Sequence, residues 1–396
     1  MQVTELPTFD DLGVDAKLVA LLRSQGIEEP FPIQALTIAD AIAGRDVCGK
    51  AKTGSGKTLA FGLPMLMATS DEQAGRPSAL VLVPTRELAL QVTGVLAPLG
   101  AAVGRRVGAV YGGADLEAQV KRVKKGIDVV VATPGRLIDL ANRRAINLSK
   151  VTILVVDEAD RMADMGFLPQ VEWLLRHMTA RAQTMLFSAT LDSAVDQLVR
   201  RYLTDPVLHE VRSTEVTVSE MEHYFFKVHQ LDKVKVLAAI VNGAGKALVF
   251  VRTKRGVDKL ADELKLAGVR AAAIHGDLRQ KSRERALVDF TKGRLQALIA
   301  TDVAARGLDI DGVDIVVHYD PPEDYKTYLH RSGRTARAGE AGVAVTLVLW
   351  NQELAAERMQ LRLGLEVPLV EVFSNDPLLT ELVRCGPQVA EVALAR

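Results

Sequence analysis

Eight residues, Ala51-Lys52-Thr53-Gly54-Ser55-Gly56-Lys57-Thr58, leave this chain few folds to choose from. They follow a short apolar step, Asp46-Val47-Cys48, and run into another apolar stretch, Leu59-Ala60-Phe61. Strand, glycine-rich turn and helix in that order make a P-loop. Such a turn curls successive backbone N–H groups around phosphate oxygens. Lys57 adds a point charge for the β- and γ-phosphates, and Thr58 adds a hydroxyl for Mg²⁺. Ala51 stands where the first glycine is usual. The stretch predicts a nucleoside triphosphate held by Thr53, Gly54, Ser55, Gly56, Lys57 and Thr58.

At 396 residues the chain exceeds one ordinary core, which predicts two domains. Lys plus Arg and Asp plus Glu both number 49, so there is no global basic field. Any nucleic acid has to be held locally, by backbone N–H donors and a few arginines. Cys48 and Cys385 are too few for a disulfide framework or a metal site and read as reduced residues. Residues 1–13 lack a basic segment followed by an apolar core, and no apolar run reaches membrane-spanning length. The expected place is the cytoplasm, with no membrane partner.

Short apolar runs recur after the P-loop at 79–83, 107–111, 128–132, 153–156 and 184–187. Runs without polar alternation are strands buried on both faces, and with helices between them they predict a parallel, doubly wound sheet. Polar signals sit where these strands end, as sites in such sheets do. The pattern lapses around 211–221 and restarts at 247–251, 271–274, 297–300, 315–318 and 343–349. This predicts a first domain over 1–210, a linker over 211–221, a second α/β domain over 222–375 and a C-terminal extension over 376–396. The second half has no P-loop, and residues 352–396 carry helical spacing with a proline-interrupted end.

The run 153–156 ends on Asp157-Glu158-Ala159-Asp160, a hundred residues after Lys57. An acidic pair at the tip of a P-loop sheet completes a hydrolytic site: Asp157 for Mg²⁺, Glu158 to orient and deprotonate a water. These four residues also spell the box of the DEAD-box RNA helicases of superfamily two, which the chain resembles over roughly 9–349. Pro84-Thr85-Arg86-Glu87-Leu88-Ala89 matches motif Ia, Gly112-Gly113 the GG doublet, Thr133-Pro134-Gly135-Arg136 motif Ib and Ser188-Ala189-Thr190 motif III. Val249-Phe250-Val251-Arg252-Thr253 looks like motif IV, and His275-Gly276-Asp277-Leu278 with Gln280 and Arg283 like the motif after it. The segment Ala300-Thr301-Asp302-Val303-Ala304-Ala305-Arg306-Gly307-Leu308-Asp309-Ile310 matches motif V. His330-Arg331-Ser332-Gly333-Arg334-Thr335-Ala336-Arg337 matches motif VI, and residues 157–167 look closest to the bacterial RhlE-like group.

Gly26, Pro30, Pro32, Ile33 and Gln34 match the family's Q motif, with Phe9 as its upstream aromatic. Ile27 stands where Phe or Tyr is common, and Phe31 where Thr is common. The resemblance implies two tandem RecA-like α/β domains, each a mostly parallel sheet flanked by helices. It implies ATP and Mg²⁺ as cofactors, with Gln34 reading the adenine edge, Phe9 stacking on the ring and Asp309 adding a nucleotide contact. Arg334 and Arg337 are implied as arginine fingers at the γ-phosphate, when the second domain closes over ATP on the first. Asp160, Ser188, Thr190, Arg306, His330 and Arg331 are implied to couple the two ligands.

Thr85, Gly112, Gly113, Thr133, Gly135, Thr253, Gly276 and Thr301 are small groups that approach a phosphate closely, and Arg86, Arg136 and Arg252 add charge. None stacks on a base or reads its edge, so RNA is expected to be bound by its backbone, with the 2′-hydroxyl separating it from DNA. The matched motifs add Pro84, Pro134, Gln280, Arg283 and Asp302. Lys121-Arg122-Val123-Lys124-Lys125 reads as a solvated helix face. The implied partners are RNA and proteins of RNA processing or ribosome assembly. A non-unwinding RNA clamp and a DNA-directed or unrelated P-loop ATPase remain as other readings.

Overall fold

Strands that are apolar at every position need cover on both faces. A computed structural model of the chain describes residues 7–51, 55–69, 76–180, 183–191, 193–211, 221–305, 310, 313–335 and 342–383. The chain divides into two units between Ser213 and Thr214. Unit 1 holds β1 (Val47–Lys50), β2 (Ala79–Leu82), β3 (Val107–Val110), β4 (Val129–Ala132), β5 (Ile153–Val156), β6 (Gln183–Ser188) and β7 (Val207–Glu210). All pair in parallel, in the order β3-β4-β2-β5-β6-β1-β7. Val81, Val131, Val155 and Phe187 enter one core layer, while their neighbours Leu80, Val130, Leu154 and Leu186 enter the layer on the opposite face. The two-residue period of the strand thus fills both layers from one apolar run.

The helices of unit 1 are α1 (Ala16–Ser24), α2 (Pro32–Ile42), α3 (Lys57–Ala68), α4 (Arg86–Ala102), α5 (Leu116–Lys124), α6 (Pro134–Asn142), α7 (Ala159–Asp164), α8 (Leu168–His177) and α9 (Ser193–Tyr202). Apart from α2, which precedes β1, those that carry motif residues start at the C-terminal tips of strands. Thr85 caps α4 by accepting the Leu88 N–H at 3.3 Å, and Pro134 sits in the first turn of α6, where a missing N–H costs nothing.

Unit 2 holds β8 (Met221–Lys227), β9 (Ala247–Phe250), β10 (Ala271–Ile274), β11 (Ala297–Ala300), β12 (Ile315–His318), β13 (Gly342–Val348) and β14 (Leu369–Glu371). Its helices are α10 (Lys233–Gly243), α11 (Lys254–Leu266), α12 (Gln280–Thr291), α13 (Asp302–Ala305), α14 (Tyr325–Ser332), α15 (Glu353–Leu363) and α16 (Leu378–Glu381). The strands are again parallel, in the order β10-β11-β9-β12-β13-β8-β14. Raising each strand number of unit 1 by seven gives this order, so the two units share one winding. In both, the helix after the first strand opens on a lysine, Lys57 in α3 and Lys233 in α10. Lys233 is 2% exposed, with its Nζ 4.4 Å from the Tyr319 ring centroid and 3.9 Å from Asp320 Oδ1. Burial pulls its ammonium down to about 8, against the opposing pull of Asp320.

Three strands, β7, β8 and β14, lie outside the apolar runs of the sequence. At the ends of the 211–221 stretch, the Val211 N–H donates to the Lys50 carbonyl at 3.0 Å, and Met221 begins β8. Residues 212–220 fall outside the described residues. Among 352–396, α15 carries the expected helical spacing, while 384–396 lie outside the described residues.

Asp46 fixes the strand that launches the P-loop. Its buried carboxylate accepts the Thr184 N–H at 2.6 Å and the Thr204 N–H at 2.7 Å, tying the start of β1 to β6 and to the turn before β7. Asp46→Ala strands the buried Thr184 N–H and should cost unit 1 about 2–3 kcal/mol. In a Trp350→Phe background, Trp173 is the sole tryptophan, and its emission during urea unfolding reads that loss.

Candidate functional site

Because every strand of unit 1 points the same way, the tips of β1, β2, β3, β4, β5 and β6 open on one edge of the sheet. At the tip of β1, Gly56 caps α3 with φ 84°, a left-handed conformation that glycine takes without strain. A Cβ there would collide with Gln34 Nε2 and lie 2.7 Å from Phe31 Cδ2. Lys57 is buried, and its Nζ donates to the Ala51 carbonyl at 2.9 Å, a neutral acceptor weaker than a phosphate oxygen. Thr58 follows, half-buried, in the first turn of α3. Ser55 is described; Thr53 and Gly54 lie outside the described residues.

Gln34 reaches the same turn from α2. Its Nε2 donates to the Gly56 carbonyl at 2.9 Å, and its Oε1 accepts the Phe31 N–H at 2.9 Å. An amide has two donors and two lone pairs, and these bonds engage one of each on a buried side chain. Phe9 corrects the sequence reading. The ring is 1% exposed and belongs to the core layer with Leu18, Leu22 and Ile33. A ring sealed on both faces by side chains offers no face to a base.

At the tip of β5, Asp157 is buried, and its Oδ1 accepts the Glu158 N–H at 3.0 Å. Burial pushes its carboxyl up to about 7, with Lys57 pulling the other way. A cation beside it reverses that balance and holds it ionised. Glu158 sits at φ 52°, uncommon for a side-chain-bearing residue, as the cap of α7. Its Oε2 accepts from Arg161 Nη1 at 2.6 Å, and both side chains are buried. Sequence reading passed over Arg161, although three residues is the spacing at which helix side chains meet.

Asp160 joins this tip to the next. Its Oδ2 accepts the N–H groups of Ala189 at 3.2 Å and Thr190 at 3.1 Å, while its own N–H donates to Ser188 Oγ at 3.1 Å. A shift of α7 is therefore passed directly to the end of β6.

A second cluster lies at the tips of β2, β3 and β4. The Arg86 guanidinium lies against Gly113, where an added Cβ would come within 2.8 Å of Nη1, and Arg86 Nε donates to Glu87 at 2.9 Å. Arg136 Nη1 donates to the Ala114 carbonyl at 3.1 Å. Both arginines thus converge on the Gly112–Ala114 turn, with Pro84, Thr85, Thr133, Pro134 and Gly135 at the neighbouring tips. The arrangement offers cations and close-approach backbone to an extended anion.

The tips of unit 2 carry Arg252 and Thr253 after β9, Gly276 after β10, and Thr301 and Asp302 after β11. The Arg252 N–H donates to Asp320 Oδ2 at 2.8 Å, and its exposed guanidinium lies 3.9 Å from Glu323. Thr253 caps α11 by accepting the Gly256 N–H at 3.0 Å. Lys254 lies beside Gly276, with its Cε 3.8 Å from the position a Cβ would take. Sequence reading missed this cation, which directly follows Thr253. Gln280 opens α12, and Arg283 is buried. Both oxygens of Asp302 accept from Arg331, at 2.6 and 2.7 Å. The pair ties the start of α13 to α14, and Asp302 keeps 28% exposure. On or beside that helix, His330 is exposed and Arg334 half-exposed; Arg306, Asp309 and Arg337 lie outside the described residues.

Two parallel α/β units of one winding, the first with a glycine-capped lysine beside a buried acidic pair, have the build of a tandem RecA-like P-loop nucleotide hydrolase. The model for DEAD/DEAH box helicases matches residues 31–198, and the helicase conserved C-terminal domain matches 232–339. A DEAD-box ATP-dependent RNA helicase CshA from Geobacillus kaustophilus is 44% identical, over 87% of this chain and 74% of its own length. An ATP-dependent RNA helicase CshA from Listeria monocytogenes is 45% identical, over 86% of this chain and 66% of its own length. Saccharomyces cerevisiae Dbp5, solved bound to RNA and ADP BeF3, is similar with a TM-score of 0.79 and 30% identity, over 98% of this chain and 99% of that one. The chain belongs to the DEAD-box RNA helicase family.

The Arg331–Asp302 pair gives a test of how α14 is held. A double-mutant cycle of Arg331→Gln and Asp302→Asn, followed by urea unfolding, should give a coupling of about 2–3 kcal/mol. The value sits below that of a fully buried pair because Asp302 keeps 28% exposure. Additive losses would show that the pair does not position the helix.

Proposed function

We propose that the chain grips RNA through its sugar–phosphate backbone without sequence choice, and couples ATP hydrolysis to local duplex opening or remodelling of RNA–protein complexes. Family membership makes the chain an ATP-dependent RNA helicase. The observation that supports the coupling is Asp160, whose carboxylate accepts the N–H groups of Ala189 and Thr190 while its own N–H donates to Ser188 Oγ, joining the acidic tip of β5 to the end of β6. Among the described residues no helix is long and apolar enough to cross a membrane, and we place the activity in the cytoplasm.

The donor set fits a nucleotide with its ion: one buried carboxylate and one hydroxyl suit Mg²⁺ when phosphates supply further ligands. Asp157 and Thr58 would hold it, Lys57 and the backbone of Ser55 and Gly56 the phosphates, and Gln34 the base. Bound there, the ion neutralises charge on the phosphates. Glu158 takes the proton from the attacking water; Arg161, bonded to Oε2, leaves Oε1 for that task. Arg334, and Arg337 beyond the described residues, supply planar cations from unit 2 once RNA engages both units. RNA shifts the population towards that engaged state, so each ligand tightens the other by the same factor. The Gly112–Ala114 turn with Arg86 and Arg136, and the Arg252, Thr253, Lys254 and Gly276 tips, are the RNA-gripping surfaces.

Glu158→Gln keeps the size of the side chain and removes the proton acceptor. RNA-stimulated turnover should fall by roughly 10²- to 10⁴-fold while ATP and RNA binding persist. Turnover at the parent rate would remove Glu158 from the role of base.

Backbone recognition through the 2′-hydroxyl predicts that single-stranded RNAs of unrelated sequence stimulate turnover alike, and that DNA of the same length does so far less. ATPase and strand-displacement assays on matched RNA and DNA decide this. Equal stimulation by DNA contradicts the RNA assignment, and RNA-stimulated turnover without strand displacement points to a clamp.

A further inference from the structure

Three apolar side chains of the first forty residues, Phe9, Ile27 and Phe31, are separated by their exposure. Phe9 is 1% exposed, and Ile27 is half-buried against the same core layer. Phe31 is 56% exposed, and its ring edge reaches the space above Gly56, next to the Gln34 amide. Its backbone explains this display. Phe31 stands between Pro30 and Pro32, and a residue before proline is driven out of the helical region. It adopts φ −65° and ψ 159° as the cap of α2. Two flanking prolines make a stiff pedestal, and the Phe31 N–H is tied to Gln34 Oε1. The ring and the amide therefore keep a fixed relation to each other and to the phosphate turn.

We propose that Phe31 is the stacking wall of the base subsite in this chain, in place of the sealed ring of Phe9. The inference rests on reading the P-loop turn as a nucleotide seat. A large exposed aromatic on a rigid backbone has little conformational freedom to lose on binding, and its face attracts the flat π-surface of a purine. Gln34 meets the edge of that purine and Phe31 its face, so edge and face are read from one helix start. Phe31 thus performs a task to which the side chain common at that position, a threonine, is unsuited.

Phe31→Thr and Phe31→Tyr test this in the full chain without RNA. Threonine is a preferred helix cap, so the first variant loses the ring without weakening α2. The measurements are dissociation constants for ATP and for inorganic tripolyphosphate, and the quenching of 2-aminopurine riboside triphosphate fluorescence, which reports stacking. Phe31→Thr should weaken ATP binding by roughly five- to 150-fold, leave tripolyphosphate binding unchanged and abolish the quenching. Phe31→Tyr should keep all three at the parent level. Unchanged or tighter ATP binding by Phe31→Thr overturns the proposal. So does an equal loss for tripolyphosphate, which would trace the effect to Gly56 and the phosphate turn. A parent chain that binds no ATP overturns the nucleotide reading itself, and this inference with it.

Discussion

Parallel strands pair edge to edge only if every connection returns to the same starting side, and the whole arrangement of functional groups depends on that constraint. Each crossover delivers the C-terminal end of a strand to one edge of its sheet, so residues distant in sequence meet there. Lys57, Asp157 and Ser188 are far apart along the chain yet stand at the tips of β1, β5 and β6. The order β5-β6-β1 makes these three strands neighbours. Apolar residues on both faces of each strand then fix the register, since a one-residue slip would exchange the two core layers.

Charge burial sets the character of this edge. Asp157, Glu158 and Arg161 are all removed from water, and a buried charge has to find a partner or shift its protonation. Glu158 finds Arg161, while Asp157 moves towards the neutral acid because Lys57 compensates its burial only in part. A further positive charge beside Asp157 would hold its carboxylate ionised. Asp160 differs: its hydrogen bonds go to backbone N–H groups at the end of β6, which makes it a mechanical joint.

Much of this was legible in the sequence because buried parallel strands leave an uninterrupted apolar signature. β2, β3, β4, β5, β9, β10, β11 and β12 fall on the apolar runs. The strands that escaped notice have mixed surroundings. β7 alternates half-buried and exposed residues, and β14 is three residues long. β8 includes Glu222 and His223, and the His223 ring bonds to the buried Tyr328 hydroxyl at 2.7 Å, a partner 105 residues away. Motif spacing located the acidic tip and the phosphate turn, but not which aromatic faces the site. Phe9 and Phe31 are alike as letters, and only packing shows one sealed in the core and the other displayed. The commitment of Asp302 to Arg331 was hidden for the same reason, since a long-range ion pair has no local signature.

The two sheets share one winding, yet the junction that carries a phosphate turn in unit 1 is closed in unit 2. There the lysine that opens the helix is folded inward onto Tyr319 and the flank of Asp320. Among the described residues, the doubled frame carries its glycine-capped lysine turn in unit 1 alone. The same winding therefore does not carry the same chemistry at both junctions.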